Sequence, residues 1–247
     1  MSAPDLGRRL VAEGLGTMSL VTIVVGSGIA ASRLSPDDVG LQLLENSTAT
    51  ALGLTVLILV LGPVSGAHFN PVVTAVDWFL GRGRIGGMTA PAATAYGVVQ
   101  ILGGIAGAVL ANLMFEVPLT RLAATERSGG NLWLGEIVAT AGLVAIIVGL
   151  ARTDRGVLAA PAVGGYIGAA YWFTSSTAFA NPAVTVGRMF SDSFAGIAPG
   201  SAPGFVLAQV VGGLVGLALV GYLYPHHGHG ADADDLVVPH GSEGSTP

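Results

Sequence analysis

The sequence contains no cysteine and no lysine. The first absence excludes disulfides, thiol catalysis and thiolate metal sites. Charged residues make up only 10% of the chain, far below the roughly 25% of a typical soluble domain. All ten cationic residues are arginines, and they form no basic patch. The composition therefore favours a lipid environment and predicts no nucleic-acid partner.

Long apolar segments dominate the rest of the chain, which is 51% hydrophobic. Six of them approach the ~20 residues needed to cross a ~30 Å hydrocarbon core. They cover roughly residues 9–31, 41–62, 90–115, 132–151, 157–173 and 205–224. The first is interpreted as a retained span, because it carries Glu13 and lacks a clear signal-peptide cleavage site. We predict an all-α, multi-pass protein of the lipid bilayer.

The distribution of arginines predicts the orientation of the chain. With the N-terminus inside, six arginines lie in the cytoplasm and four lie outside, which agrees with the positive-inside rule. The inner set is Arg8, Arg9, Arg82, Arg84, Arg152 and Arg155, and the outer set is Arg33, Arg121, Arg127 and Arg188. We therefore predict a plasma-membrane protein with cytoplasmic N- and C-termini.

The segment 225–247 has a different composition from the spans. It is polar, glycine-rich and acidic, so it is predicted to be a disordered tail. Four of the five histidines lie in it, namely His226, His227, His229 and His240. Weak metal binding by this tail is the alternative to a simply solvated one. No cofactor and no metal site is predicted for the rest of the chain.

An internal duplication links the two halves of the sequence. "AEGLGT" at 12–17 matches "GEIVAT" at 135–140, and "FNPVVTAV" at 69–76 matches "ANPAVTVG" at 180–187. A third pair joins "VVQILGGIAGAVLA" at 98–111 to "LAQVVGGLVGLALV" at 207–220. The copies cover about 8–115 and 132–224. Each holds three spans, an odd number, so the second copy enters the membrane from the opposite side and the repeat is inverted.

The two Asn-Pro pairs predict two re-entrant half-helices. Asn is a favoured N-cap, and Pro suits the first helical position. About ten apolar residues follow each pair, which make roughly 15 Å of helix, or half a bilayer. Two such half-helices entering from opposite sides meet at the midplane and bring Asn70 and Asn181 together.

This junction predicts a passive pore for small uncharged polar molecules. Two positive helix ends face each other there, and two side-chain amides point at whatever passes. A neutral solute accepts hydrogen bonds from both amides, whereas cations and protons are repelled. No Ser/His/Asp set or metal-ligand spacing occurs in the spans, so enzymatic activity is not expected.

These features resemble the aquaporin, or major intrinsic protein, family. The resemblance rests on the paired Asn-Pro motifs, the two Glu-x-x-x-Thr openings and the two Gln-x-x-Gly-Gly sequences, and it covers about residues 8–224. It implies one channel domain over 1–224, built as six transmembrane helices plus two half-helices and assembled as a homotetramer with one pore per subunit. It places the pore centre at Asn70, Pro71, Val72, Asn181, Pro182 and Ala183.

Two positions depart from the usual family pattern. Val72 stands where the first motif usually has Ala, which is expected to narrow or offset the pore centre. Val184 stands where water and glycerol channels usually carry a constriction Arg. The resemblance implies a selectivity ring of Leu52, Ala169 (or its neighbour Gly168), Ala178 and Val184. Such a ring is wide and apolar.

A ring without Arg is similar to that of bacterial family members that pass metalloid hydroxides. The resemblance therefore implies arsenous acid-type hydroxides and glycerol-like polyols as solutes, with water as a co-permeant. The alternatives are a channel mainly for water and a secondary active transporter of a small neutral solute. A junction-forming protein with a closed pore is a third.

Four ionisable residues in or near the spans have two interpretations each. His68 is expected to line the pore, or else to stabilise its loop. Arg188 either lines the vestibule or lies at the surface, where it caps the half-helix or pairs with Asp192. Glu13 and Glu136 are expected to hold the re-entrant loops, with proton coupling as the alternative.

Glycines at helical spacing occur in the third and sixth spans, at 103, 104 and 107 and at 212, 213 and 216. Small residues allow close helix packing in membranes. We predict from them that the third and sixth spans pack against each other.

Overall fold

A computed structural model of the chain describes residues 5–83, 86–119 and 121–225. Within these ranges the backbone is helical or irregular and contains no strand. The predicted tail lies outside the described residues, apart from Pro225. The fold therefore concerns the two repeats and their connections.

Eight α-helices follow one another along the described ranges. They are α1 (Leu6–Leu34), α2 (Val39–Ser65), α3 (Pro71–Gly81), α4 (Ala90–Met114), α5 (Gly130–Arg152), α6 (Ala159–Phe173), α7 (Pro182–Arg188) and α8 (Ala202–Leu223). A short 3-10 turn, Gly156–Leu158, leads into α6. Six of these elements are long and apolar enough to cross a membrane, namely α1, α2, α4, α5, α6 with its leading turn, and α8. The prediction of six spans is confirmed.

Three of the long helices, α1, α2 and α4, are capped at their N-termini by side chains. Asp38 accepts a hydrogen bond from the amide of Leu41 at the start of α2, at 2.9 Å. Thr89 does the same for Ala92 at the start of α4, at 3.3 Å. These caps satisfy amide groups that have no partner within the helix.

The half-helices α3 and α7 begin at the two Asn-Pro pairs, as predicted. Helix α3 has 11 residues, close to the expected ten. Helix α7 has only seven, because the chain turns directly after Arg188. The amide of Phe190 bonds the carbonyl of Gly187, and the chain then returns so that Ile197 bonds the carbonyl of Arg188.

The glycine-rich faces of α4 and α8 do not pack against each other, so that prediction is wrong. A side chain at Gly103 or Gly107 would collide with the backbone of α1, at Gly14 and Met18. In the second repeat, Gly212 and Gly216 approach the backbone of α5 in the same way. The close packing joins the first and last spans within each repeat, α1 with α4 and α5 with α8.

The outer surface of the bundle is apolar. Large hydrophobic side chains are exposed along the lengths of the spans, such as those of Leu52, Val60, Leu207 and Leu214. In a helix that crosses a bilayer these side chains contact lipid tails or other subunits. The buried polar groups of the spans, such as Glu13 and Glu136, lie inside the bundle.

Candidate solute pathway

A cavity lies in the interior of the bundle, with about 600 Å³ of space when the adjoining open solvent is included. Its walls come from α1, α2, α3, α5, α6 and α7 and from the two loops that precede the half-helices. Most wall side chains are aliphatic. The polar ones are His68, Asn70 and Asn181, together with Thr50, Tyr171 and Arg188.

Glu13 holds the loop before α3. Its carboxylate accepts hydrogen bonds from the amides of His68, at 2.9 Å, and Phe69, at 2.7 Å. The side chains of Ser65 and Gln100 complete the set, at 2.7 and 2.8 Å. Glu13 itself is fully buried and does not line the cavity.

Glu136 has the same surroundings in the second repeat. It accepts from the amides of Phe179 and Ala180, both at 2.9 Å, and from the side chain of Gln209 at 2.6 Å. Ala178 and Ala180 adopt left-handed backbone angles, with φ of 48° each. Such angles are unfavourable for residues with a Cβ, and the carboxylate compensates by binding the amides of this turn.

The two half-helices meet at their N-termini. Asn70 accepts from the amide of Val72 through Oδ1, at 2.9 Å, and Asn181 accepts from the amide of Ala183 in the same way. Both asparagines line the cavity, whereas Pro71, Pro182 and Ala183 lie behind it. The Asn side chains are therefore the polar groups presented to the pathway at the N-terminus of each half-helix.

Val72 does not narrow the pathway, in contrast to the sequence-based expectation. It is buried and lies outside the cavity wall. One of its methyl groups points at Gly213 on α8, so that a Cβ built on that glycine would lie 2.7 Å from Val72 Cγ1. The valine side chain fits at position 72 because the residue opposite it, Gly213, has no side chain.

One end of the cavity, here called the His68 mouth, is lined by residues of the first loop and α3. The Nδ1 of His68 lies 3.2 Å from Thr74 Oγ1, and its Nε2 lies 3.9 Å from a carboxylate oxygen of Asp77. His68 lines the cavity, as expected, and is only 8% exposed.

The predicted ring positions Leu52 and Ala169 are wrong. Leu52 is 65% exposed on the outer face of α2, and Ala169, also exposed, lies on the outer face of α6. The alternative, Gly168, does not line the cavity either. The wall residues are Thr50 and Tyr171, each two positions away. Two positions turn a helix by about 200°, so each assignment selected the wrong side of its helix.

Thr50 and Tyr171 bring hydroxyl groups to the wall that was expected to be apolar. Their oxygens lie 3.2 Å apart, within hydrogen-bond distance. Ala178 and Val184 do line the cavity, as placed by the motif. A signal for α2 was present in the sequence, because Gln42, Asn46 and Thr50 recur every four residues and all are buried.

Arg188 forms part of the opposite end, here called the Arg188 mouth. It is 2% exposed and lines the cavity, so the interpretation as a surface residue is wrong. It does not pair with Asp192 either, whose carboxylate accepts from the amide of Ala124 at 3.1 Å. Its Nε donates to the carbonyl of Ala195.

Phe179 and Arg127 support this mouth, and neither was predicted. The Phe179 ring lies under two guanidinium groups, with Arg188 Cζ at 3.4 Å and Arg127 Cζ at 5.4 Å from its centroid. Arg127 belongs to the loop between α4 and α5 and donates to the carbonyls of Phe194 and Gly196. Burial lowers the pKa of Arg127, and the charge of Glu136 opposes that shift.

Comparison with known proteins agrees with this geometry. The Major intrinsic protein family matches residues 1–175. The Aquaglyceroporin AqpS of Rhizobium meliloti is 50% identical over 220 residues, covering 89% of this chain and 91% of that protein. Aquaporin TIP1-2 of Zea mays is 34% identical over 179 residues, covering 68% of each chain.

Among solved structures, the aquaglyceroporin from Plasmodium falciparum shares the fold. It superimposes with a TM-score of 0.64 at 19% identity and covers 87% of this chain and 96% of that one. The family match extends over more than half of the sequence, and the remaining part carries the second half-helix that completes the arrangement. Together, the family match and the paired Asn-Pro half-helices show that the chain belongs to the major intrinsic protein family.

Proposed function

We propose that the protein is a passive transmembrane channel for small uncharged polar solutes. The observation that carries this proposal is the meeting of α3 and α7 inside the cavity, with Asn70 and Asn181 on its wall. The positive ends of both half-helices and the two amides favour neutral molecules with oxygen acceptors. Cations meet an unfavourable potential at the same point.

The solutes that fit best are arsenous acid-type metalloid hydroxides and glycerol-like polyols, with water as a co-permeant. Val184 contributes an apolar side chain to the wall, and hydroxyl groups are available from Thr50 and Tyr171. A wall with one polar and one apolar side suits molecules that carry several hydroxyl groups on a compact core. The name of the Rhizobium meliloti relative, an aquaglyceroporin, supports the polyol part of this proposal.

A channel mainly for water is the second candidate, and a secondary active transporter is the third. The proton coupling considered for Glu13 and Glu136 requires that one of these carboxylates faces the pathway. Glu13 and Glu136 are buried behind the loops, where backbone amides bind them, and neither lines the cavity. Neither carboxylate is therefore placed for proton coupling, which supports passive flow. We keep Asn70 and Asn181 as the pore centre and Glu13 and Glu136 as the loop supports.

The cellular setting is part of the same proposal. We place the protein in the plasma membrane as a homotetramer, with the His68 mouth and both termini on the cytoplasmic side. The arginine distribution supports this orientation. The channel domain covers residues 1–224.

The test is stopped-flow light scattering on proteoliposomes with water, glycerol and arsenous acid. In Val184→Arg, a long side chain enters the cavity where the wall is now a valine. We expect glycerol and arsenous acid entry to fall at least about tenfold while water flow persists. Leu52→Ala, on the outer face of α2, is the matched control and is expected to behave like the wild type.

Each rival function gives a different result in this assay. Water flow alone in the wild type would favour the water channel. Uptake that stops when a protonophore collapses the proton gradient would favour the transporter. Equal entry of glycerol into Val184→Arg and wild-type vesicles would show that the narrow point lies elsewhere.

A further inference from the structure

The Arg188 mouth of the cavity contains a buried cation in an unusual position. Arg188 follows Val184 by four residues, so both side chains lie on the same face of α7, one helical turn apart. Both line the cavity. The valine therefore occupies the inner level of this wall, and the guanidinium occupies the level next to the mouth.

The guanidinium is held in one orientation by two contacts. Its Nε donates to the carbonyl of Ala195, in the segment that returns after α7. Its Cζ lies 3.4 Å from the centroid of the Phe179 ring, a stacked cation–π arrangement. A group fixed in this way presents its remaining N–H groups in a constant direction.

No carboxylate lies within ion-pair distance of this charge among the residues that the structure describes, although the buried Glu136 attracts it from farther away. The contacts at ion-pair distance within that part of the chain join Asp5 to Arg8 and His68 to Asp77, and neither involves Arg188. The two terminal nitrogens of Arg188 have no hydrogen-bond partner in the same ranges, and neither is fully enclosed by protein. They therefore contact the space of the cavity.

We propose that Arg188 is the charge-selecting residue of this channel, acting one turn outside the level of Val184. A fixed positive charge at a low-dielectric mouth raises the energy of every approaching cation. Its free N–H groups donate to the oxygens of neutral solutes. The arrangement separates two tasks, because Val184 leaves the wall wide while Arg188 keeps cations out. This inference rests on the proposed channel function.

The competing explanation is that Arg188 only anchors the segment around Ala195. The chain offers a matched control for it. Arg127 also contacts the Phe179 ring and also donates to carbonyls of this segment, at Phe194 and Gly196. Arg127 does not line the cavity. Loss of anchoring affects both variants, whereas loss of the pore charge affects only Arg188.

The experiment measures potassium leak and glycerol entry in the same proteoliposomes. The variants are Arg188→Gln, Arg188→Lys and Arg127→Gln, each required to retain water flow. We expect Arg188→Gln to raise the ratio of potassium to glycerol permeability at least about tenfold. Arg188→Lys keeps the charge and Arg127→Gln keeps the pore wall, so both are expected to stay potassium-tight.

Three results would overturn the proposal. They are an Arg188→Gln channel that remains potassium-tight, an equal leak in Arg127→Gln, and an equal leak in Arg188→Lys. The proposed function fails separately, when the wild type passes neither glycerol nor arsenous acid. If the wild type passes only water, the effect of Arg188 is still measured by comparing the ratio of potassium leak to water flow in Arg188→Gln and in the wild type.

Discussion

Asn70 and Asn181 each bind the loop that carries the other. The Nδ2 of Asn70 donates to the carbonyl of Ala180, directly before Asn181, at 2.8 Å. The Nδ2 of Asn181 donates to the carbonyl of Phe69, directly before Asn70, also at 2.8 Å. Because each Oδ1 caps its own half-helix, each amide nitrogen keeps a second N–H. The pair thus locks the two repeats together and supplies the donors of the pore centre.

Replacement of Asn181 by Asp tests this lock. The carboxylate retains the cap on α7, but an oxygen now faces the carbonyl of Phe69 without a proton between them. We expect the stability of the detergent-solubilised protein to fall by about 1–3 kcal/mol, the cost of a buried acceptor without a partner. Neutral-solute flow is expected to fall with it.

Thermal unfolding and stopped-flow scattering measure the two effects. Asn70→Asp should behave like Asn181→Asp, because the contacts are reciprocal. Asn131→Asp, at an exposed position at the start of α5, is the control. Unchanged stability in both pore-centre variants would mean that the crossed hydrogen bonds contribute little.

The hydroxyl pair of Thr50 and Tyr171 gives a second prediction. Tyr171→Phe removes one hydroxyl group from the cavity wall and leaves the ring in place. If solutes with several hydroxyl groups exchange hydrogen bonds with this pair, glycerol entry should fall about three- to tenfold relative to water flow. Tyr222→Phe removes the same atom from a side chain that is 84% exposed, and is expected to change nothing.

A glycerol-to-water ratio that is equal in Tyr171→Phe and the wild type would contradict this role. Thr50→Val, which has nearly the same shape as threonine, checks the other half of the pair. If the glycerol-to-water ratio falls in only one of Tyr171→Phe and Thr50→Val, the contact with the solute is made by that residue's hydroxyl group alone.

The architecture was predictable from the sequence because it depends on the length and apolarity of the spans and on two Asn-Pro pairs that start helices. Six apolar runs gave the spans, and Asn-Pro gave the starts of both half-helices. The odd number of spans per repeat then gave the inversion. None of these steps requires knowing which face of a helix points inward.

The wall of the cavity was harder to predict, since it depends on helix rotation. In a water-soluble bundle, polar residues mark the outside, but in lipid the outer sides of α2 and α6 are apolar and only a few polar residues, such as Thr50 and Tyr171, mark the inner sides. Either Leu52 or Thr50 could therefore be assigned to the cavity wall. Matching the apolar run of the second span to the family pattern selected Leu52, which was wrong. The prediction that the glycines of α4 pack against those of α8 failed for a similar reason. Small residues indicate close helix packing, but they do not indicate which helix packs there.

Val72 and Gly213 form the last testable pair. An alanine at 213 places its Cβ 2.7 Å from Val72 Cγ1, and apart from the adjoining backbone of α8 no other atom lies within 4 Å of that position. Gly213→Ala is therefore expected to lower the free energy of unfolding by about 1–3 kcal/mol through overpacking. Adding Val72→Ala removes the colliding methyl group, so the double variant should recover most of the loss. At the neighbouring Gly212, a Cβ meets the backbone carbonyl of Ile137 at 2.6 Å.

The collision at Gly212 involves backbone, so Val72→Ala should not rescue Gly212→Ala. A double-mutant cycle on thermal unfolding measures the coupling, which should be favourable by about 1 kcal/mol or more for the 72–213 pair and near zero for the 72–212 pair. Equal coupling for both pairs would mean that α8 shifts as a whole. The extra methyl groups of Val72 would then be tolerated by movement of the helix and not by the missing side chain opposite them.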